Sequence, residues 1–132
     1  MENIKSILAD NLIGTVATLN EDGSPWATPI HIFADDAAVY WFSNDQRQHS
    51  RNIENDPRVS VALWSRQDGT KGAYISGTAT KLNADETAKA LDIVVETVGA
   101  IPPVFENTSG YRLEIGQIDT GRTSEKRWYF YT

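Results

Sequence analysis

A chain of 132 residues fits one domain, and 40% hydrophobic with 23% charged residues marks a folded rather than a disordered one. With no cysteine it builds no disulfide, thiolate metal site or cysteine nucleophile. A net charge of −6 argues against non-specific nucleic-acid binding, which rests on Lys and Arg neutralising phosphates.

Glu2 to Asp10 places Ile4, Ile7 and Leu8 at helical spacing and predicts a short helix. Leu12 to Leu19, with β-branched Thr15, Val16 and Thr18, predicts a strand. Asn20-Glu21-Asp22-Gly23-Ser24-Pro25 is a strong turn signal, so Trp26 to Phe33 returns as the second arm of a hairpin. After a turn at Ala34-Asp35-Asp36, Ala38 to Ser43 reads as a third strand. Asn44 to Asn55 follows as a helix that ends before Pro57, and Arg58 to Trp64 as a fourth strand. Arg66-Gln67-Asp68-Gly69 turns the chain into a long fifth strand, Gly72 to Leu82, where Gly77 marks a bulge or bend. Asn83 and Glu86 have capping-box spacing and open a helix with an apolar stripe of Ala88, Leu91, Val95 and Val98. Gly99 and Pro102-Pro103 stop it. Tyr111 to Ile118 and Arg127 to Tyr131 are the sixth and seventh strands. Six to seven short strands with few helices predict a mainly β fold, an antiparallel barrel or sandwich, with residues 1–132 as a single domain. No apolar run approaches the roughly 18 residues of a membrane span. Met1-Glu2-Asn3-Ile4-Lys5 lacks the apolar stretch of a signal peptide, so a soluble cytoplasmic protein is expected.

His31 and His49 stand on separate elements without a paired histidine or an acidic cluster, which excludes a catalytic zinc site. Glu21-Asp22 and Asp35-Asp36 read as solvated turn residues. There is no Gly-x-Ser-x-Gly elbow, Gly-x-Gly-x-x-Gly fingerprint or Walker loop.

The segment Phe42 to Arg51 is more informative, because a strand there runs into a helix N-terminus. Ser43 and Gln46 have capping-box spacing, and open N–H groups with the helix dipole can hold a phosphate. Arg47 and Arg51, four apart, share a helix face and offer planar donor forks. The same residues equally describe a capped surface helix whose arginines pair with Asp45 or Glu54. His49 lies four residues before Ile53 and can pack beside it, and His31 shares a strand face with Ala27, Pro29 and Phe33. Pro29 gives no ladder hydrogen bond, so it belongs at an edge or bulge. There it either guards the edge or leaves backbone groups to a flat ligand. Of the tryptophans Trp26, Trp41, Trp64 and Trp128, the last belongs to Arg127-Trp128-Tyr129-Phe130-Tyr131. That stretch is too apolar for a loose tail. It is expected to dock in the sheet, across a dimer interface, or on a ligand.

Gly14 to Trp64 combines a hairpin, a small-residue-Thr-Pro strand, an aromatic-Ser strand end and a helix closing in Asn52-Ile53-Glu54-Asn55-Asp56-Pro57-Arg58. This combination resembles the N-terminal half of pyridoxamine-phosphate-oxidase-like proteins. Ile75 to Leu82 resembles that family's next strand, so the likeness covers roughly residues 12 to 82. The resemblance implies a split β-barrel of the FMN-binding type, whose homodimer builds two flavin sites at the subunit interface. It implies that Ala27, Thr28, Pro29 and Ile30 lie along the flavin and that Phe42 and Ser43 touch the ring and its phosphate tail. Gln48 and His49 fall where Arg-Lys commonly grips the phosphate, with Arg47 and Arg51 beside them to supply charge. The true oxidase has a longer C-terminal segment with a tryptophan and an arginine that serve cofactor and substrate, and Trp128 with Arg127 is expected here in a related role, without a secure alignment. The implied cofactor is FMN and the implied substrate an unknown small molecule. A flavin store or sensor, or a deazaflavin or heme in the same pocket, are the alternatives. No side-chain acid or base stands out, which fits hydride transfer at a flavin. The substrate-phosphate residues of the true oxidase have no match here, so the likeness does not extend to oxidation of pyridoxamine phosphate.

Overall fold

Alternation of inward and outward residues makes β1 (Ile13–Leu19) a half-buried strand, with Gly14, Val16 and Thr18 facing in. Gly23, at φ +85°, supplies the left-handed residue that closes the turn into β2 (Pro25–His31). The hairpin register sets Val16 opposite Thr28 and Thr15 opposite Pro29. A computed structural model describes residues 2–99, 107–122 and 128–132; Pro102, Pro103 and Arg127 fall outside them.

Two predicted strands break, and the breaks decide the architecture. The expected run Trp26 to Phe33 stops at Ile32, and Phe33–Ala34 continues as β3 in a different sheet. Gly72 to Leu82 divides in the same way into β6 (Gly72–Thr78) and β7 (Thr80–Lys81). The bend expected at Gly77 therefore comes at Ala79. Ile32 and Ala79 are both buried, so each corner turns on an apolar residue that the core holds. With β4 (Ala38–Asn44), β5 (Arg58–Trp64), β8 (Thr108–Glu114) and β9 (Trp128–Tyr131), the described residues contain nine strands in place of seven. They form a five-stranded sheet, β2-β1-β5-β6-β9, and a four-stranded sheet, β3-β4-β8-β7. Every pairing is antiparallel except β9, which lies parallel to β6. β8 starts three residues before the expected Tyr111 and ends at Glu114, and Ile118 keeps only an isolated bridge to Tyr131. The fold is a mainly β split barrel.

The core lies between the sheets, around Val16, Val39, Trp41, Val61, Ile75 and Leu113, with Ile4 and Ile7 of α1 (Glu2–Asp10) packed against it. α3 (Ala84–Val98) covers the other face of the four-stranded sheet. Its capping box forms as predicted between Asn83 and Glu86, and Gly99 ends it in the left-handed conformation. The predicted apolar stripe is wrong in phase, because the helix buries Thr87, Ala90 and Val94 while Val95 and Val98 are exposed. One tie fixes that phase: the Gly110 N–H donates to Thr87 Oγ1 at 3.0 Å. A Cβ on Gly110 would stand 3.1–3.3 Å from Leu82, Phe42 and Thr87, so the close approach of α3 to β8 depends on glycine.

Candidate functional site

At the end of β4 the chain turns before it becomes helical. Asn44 Oδ1 accepts from the Gln46 N–H at 2.8 Å, and the Arg47 N–H donates to the Asn44 carbonyl at 3.1 Å. As a result α2 (Gln48–Asn55) begins four residues later than predicted, with Arg47 as its N-cap. The expected Ser43–Gln46 capping box does not form, because Ser43 Oγ lies 2.7 Å from His49 Nε2 and is engaged there. Arginine has no acceptor to offer, so α2 has no side-chain cap. Its first-turn N–H groups and positive dipole end therefore lack a side-chain acceptor at the N-cap, with His49 and Ser50 of that turn buried.

The charges around this helix are sorted. Asp45 and Glu54, the carboxylates within reach of the arginines in sequence, both lie on Lys81 Nζ, at 3.7 and 3.0 Å. Among the described residues neither Arg47 nor Arg51 has a carboxylate partner. Arg51 instead donates to Gln48 Oε1 at 2.7 Å. Gln48 Nε2 donates to Asn52 Oδ1 at 2.8 Å, and Asn52 Nδ2 donates to Thr18 Oγ1 at 3.0 Å and Asn20 Oδ1 at 2.9 Å. This chain of amides clamps α2 to the β1–β2 hairpin, and Asn52 and Thr18 are buried within it. A cleft of about 230 Å³ opens beside it, lined by Glu21, Gln48, Arg51, Asn52 and Asn55. Asn20 and Asn52 were missed as site-forming residues. The available signals were the four-residue spacing of Asn52 from Gln48 and the lone Thr18 beside Val16 on the inner face of β1.

His49 is buried. Burial first, and the nearby Arg47 charge second, hold its imidazole below the ordinary histidine range, so it is neutral at pH 7. With one ring nitrogen on Ser43, it ties α2 to the end of β4, and the positive charge of the corner belongs to the arginines.

β2 lies against this corner: α2 packs on β1 and β2, and β4 also touches β2. β2 is an edge strand paired with β1, and Pro29 sits on it opposite Thr15, as its missing N–H requires. Ala27, Pro29 and the exposed His31 face outward, while Thr28 and Ile30 face Val16 and Gly14. One chain thus brings Ser43, Arg47, Gln48, His49 and Arg51 to one corner, with β2, which carries Ala27, Thr28, Pro29 and Ile30 on its two faces, packed beside it. It does not bring Phe42, which points to the opposite face of β4 and packs with Tyr40, Leu82 and Ala90 under α3. It does not bring Trp128 either. That ring stacks on Tyr74 at 5.6 Å on the far edge of the five-stranded sheet, with β1, β5 and β6 between it and β2. Among the described residues no group of three or more His, Asp or Glu side chains is placed to hold a metal ion, and no helix is long and apolar enough to cross a membrane.

A split barrel with an anion-ready corner beside an exposed edge strand is the class that these features define. The family model for pyridoxamine 5'-phosphate oxidase matches residues 1–120, and the chain belongs to that family. Among solved structures, it is similar to the protein Atu2129, of unknown function, from Agrobacterium tumefaciens str. C58, at 24% identity over 81% of this chain and 49% of that one, with a TM-score of 0.65. It is similar to an F420 reductase at 18% identity over 83% of this chain and 90% of that one, with a TM-score of 0.67. It is also similar to a heme binding protein from Mycobacterium smegmatis at 30% identity over 85% of this chain and 49% of that one, with a TM-score of 0.64. The chain spans about half the length of the Agrobacterium and Mycobacterium proteins.

Proposed function

We propose that this chain binds FMN, with the phosphate at the N-terminus of α2 and the ring along β2, and acts as a homodimeric flavin-dependent oxidoreductase on a small molecule. One observation carries the reading. Among the described residues Arg47 and Arg51 have no carboxylate ion pair at a helix N-terminus without a side-chain cap, while Lys81 holds Asp45 and Glu54, and Glu21 lines the cleft beside Arg51. The two planar forks of these arginines suit phosphate oxygens.

A bound flavin supplies the hydride chemistry, and the protein's share is binding and orientation. Arg47 and Arg51 provide charge, and the Asn20–Asn52–Gln48 chain fixes Arg51 in place before any ligand arrives. The outward edge of β2 offers backbone groups to a flat ring, interrupted at Pro29. Family membership supports the cofactor class. A heme reading is less favoured, because it calls for an axial ligand. Of the two histidines, His49 is buried on Ser43 and His31 stands on the outer face of β2.

Two observations support the homodimer. Trp128 lies at the sheet edge opposite β2, so only a second copy can bring that tryptophan to the corner. The outer face of the same sheet also exposes Ile13, Trp64 and Tyr74, apolar surface of the kind that an isologous contact covers.

The test compares FMN with riboflavin, which lacks the phosphate, by fluorescence quenching. Arg47→Ala with Arg51→Ala is expected to weaken FMN by about tenfold or more and to leave riboflavin within about twofold. Equal loss of both ligands, or no binding of FMN by the unaltered protein, overturns the reading.

A further inference from the structure

β7 brings Lys81 to α2 from the four-stranded sheet. Lys81 lies opposite Tyr111 of β8, so both side chains stand on the same side of that sheet, and Tyr111 belongs to the core. β8 also fixes the turn that precedes α2. Ser43 and Asn44 lie opposite Ser109 and Thr108, and the Asp45 N–H donates to the Asn107 carbonyl at 2.9 Å. The backbone thus pins Asp45 two residues before the N-cap Arg47, with its Oδ1 3.7 Å from Lys81 Nζ. The same ammonium reaches Glu54, in the last turn of α2, at 3.0 Å.

The two carboxylates depend on this lysine to different degrees. The Glu54 side chain is 56% exposed and shares its charge with water. Asp45 Oδ1 is buried and has no hydrogen-bond partner among the described residues. The Ser50 and Tyr111 hydroxyls, also buried, have none either, so neither donates to it. Burial first holds the Tyr111 phenol above its ordinary range, and the Asp45 charge adds to the rise, so the two groups lie within each other's field. The buried oxygen of Asp45 is therefore compensated by the Lys81 charge, without a hydrogen bond. The bond to Glu54 first, and the Asp45 charge with it, hold the ammonium above the ordinary lysine range against its desolvation, so Lys81 is charged at pH 7. Without Lys81, the nearest cation along the chain is Arg47. A carboxylate that turns to Arg47 takes up its donor fork and sets a negative charge at the end of the helix that an anion approaches.

We propose that Lys81 is a specificity-determining residue of the corner: by keeping Asp45 and Glu54 off Arg47 and Arg51, it decides that the corner prefers a phosphate monoester to the uncharged alcohol of the same molecule. Lys81 is a positioning residue, which acts through the two acids. The inference rests on the FMN reading above. Glu21, exposed at the rim of the cleft beside Arg51, has no ion pair with Lys81 and is the same in every variant below.

The experiment is a mutant cycle on the full chain, read by quenching of FMN and of riboflavin fluorescence. Lys81→Gln is expected to weaken FMN by about fivefold or more and to leave riboflavin within about twofold. Asp45→Asn with Glu54→Gln leaves FMN as tight or tighter. In that acid-free background Lys81→Gln changes FMN by less than about twofold. Lys81→Arg keeps the affinity, because the charge is retained. Lys71→Gln, which removes an equal charge beside Ser6 of α1, leaves it unchanged. Thermal melts check that each variant is folded. A loss of FMN of the same size with and without the two acids overturns the inference, because Lys81 then acts on the ligand by its own charge. An unchanged FMN affinity, an equal loss of both flavins, or a comparable loss with Lys71→Gln overturns it as well. In each of these cases the FMN reading stands while the unaltered chain prefers FMN to riboflavin. If the unaltered chain shows no such preference, the phosphate reading falls and the role of Lys81 falls with it.

Discussion

The two sheets are made of similar strands but differ in how many faces they bury. β4, in the four-stranded sheet, buries four residues in a row, Ala38 to Trp41, because Val39 and Trp41 face the core while Ala38 and Tyr40 face α3. β1 and β5 of the five-stranded sheet bury alternate residues, and β2 buries none fully. A sheet covered on both faces has no surface left for a ligand, whereas a sheet covered on one face keeps its outer side and its edges. The candidate binding region lies at the edge of the second kind, where the α2 corner meets β2. The four-stranded sheet holds the fold and the five-stranded sheet presents it.

The largest effect that tests this division is Trp41→Ala. Trp41 is fully buried and stacks on Tyr111, with ring centroids 6.0 Å apart at 9°. Removing the indole should cost about 3–5 kcal/mol in urea unfolding, a large share of the stability of a domain this size. Trp41→Phe should cost much less, because the indole Nε1 is buried with no hydrogen-bond partner among the described residues, and its loss removes an unsatisfied donor. If the alanine variant lost less than about 1 kcal/mol, the four-stranded sheet would not be the stabilising half.

A smaller, pH-dependent effect belongs to the seam between the sheets, at His49. Its folded pKa lies below the unfolded value of about 6.5, so below that pH the unfolded chain takes up a proton that the folded chain resists. Stability should therefore be level above the histidine range and fall as pH drops below about 6.5. The aspartates held low by hydrogen bonds, such as Asp10 on Ser65 and the Arg66 N–H, add their losses only at more acid pH. His49→Gln should flatten the slope in the histidine window and leave the acid limb in place, as read by urea midpoints from pH 7.5 to 4.5. A slope unchanged by the substitution would mean that His49 titrates freely and does not join α2 to β4.

Much of this division was legible in the sequence, but not its corners. Alternation marked β1, hydrogen-bonding spacing marked the Asn83–Glu86 cap, and turn chemistry marked the hairpin at Gly23. The switches at Ile32 and Ala79 were illegible because the residues remain strand-like while the pairing partner changes, and partners are not local information. The phase of α3 was misread for a related reason: a polar Thr87 is buried because it accepts from Gly110, which lies 23 residues on. In the candidate site, helical spacing put Arg47 and Arg51 on one face. What decides their state is Lys81, which takes both carboxylates from another strand, and no local pattern reports that. Phe42 and Ser43 were read as a pair, although adjacent strand residues point to opposite faces, and here those faces belong to different compartments.

The smallest expected effect on folding comes from the same residue type on the other sheet. Trp64 ends β5 with its side chain on the outer face, 44% exposed, where Trp41 is wholly buried. Trp64→Ser should change the stability of the isolated chain by no more than about 0.5 kcal/mol, since exposed substitutions rarely do more. If the outer face seats a second copy, the same change should weaken association by more than about tenfold, because large aromatics at the centre of an interface carry much of its energy. Sedimentation equilibrium across a range of concentrations separates the two quantities. Weakened association with unchanged unfolding is the outcome that the one-sided sheet predicts. A loss of folding stability comparable to that of Trp41→Ala would mean that the outer face is packed within the single chain, and the contrast between the sheets would then fail at its most exposed residue.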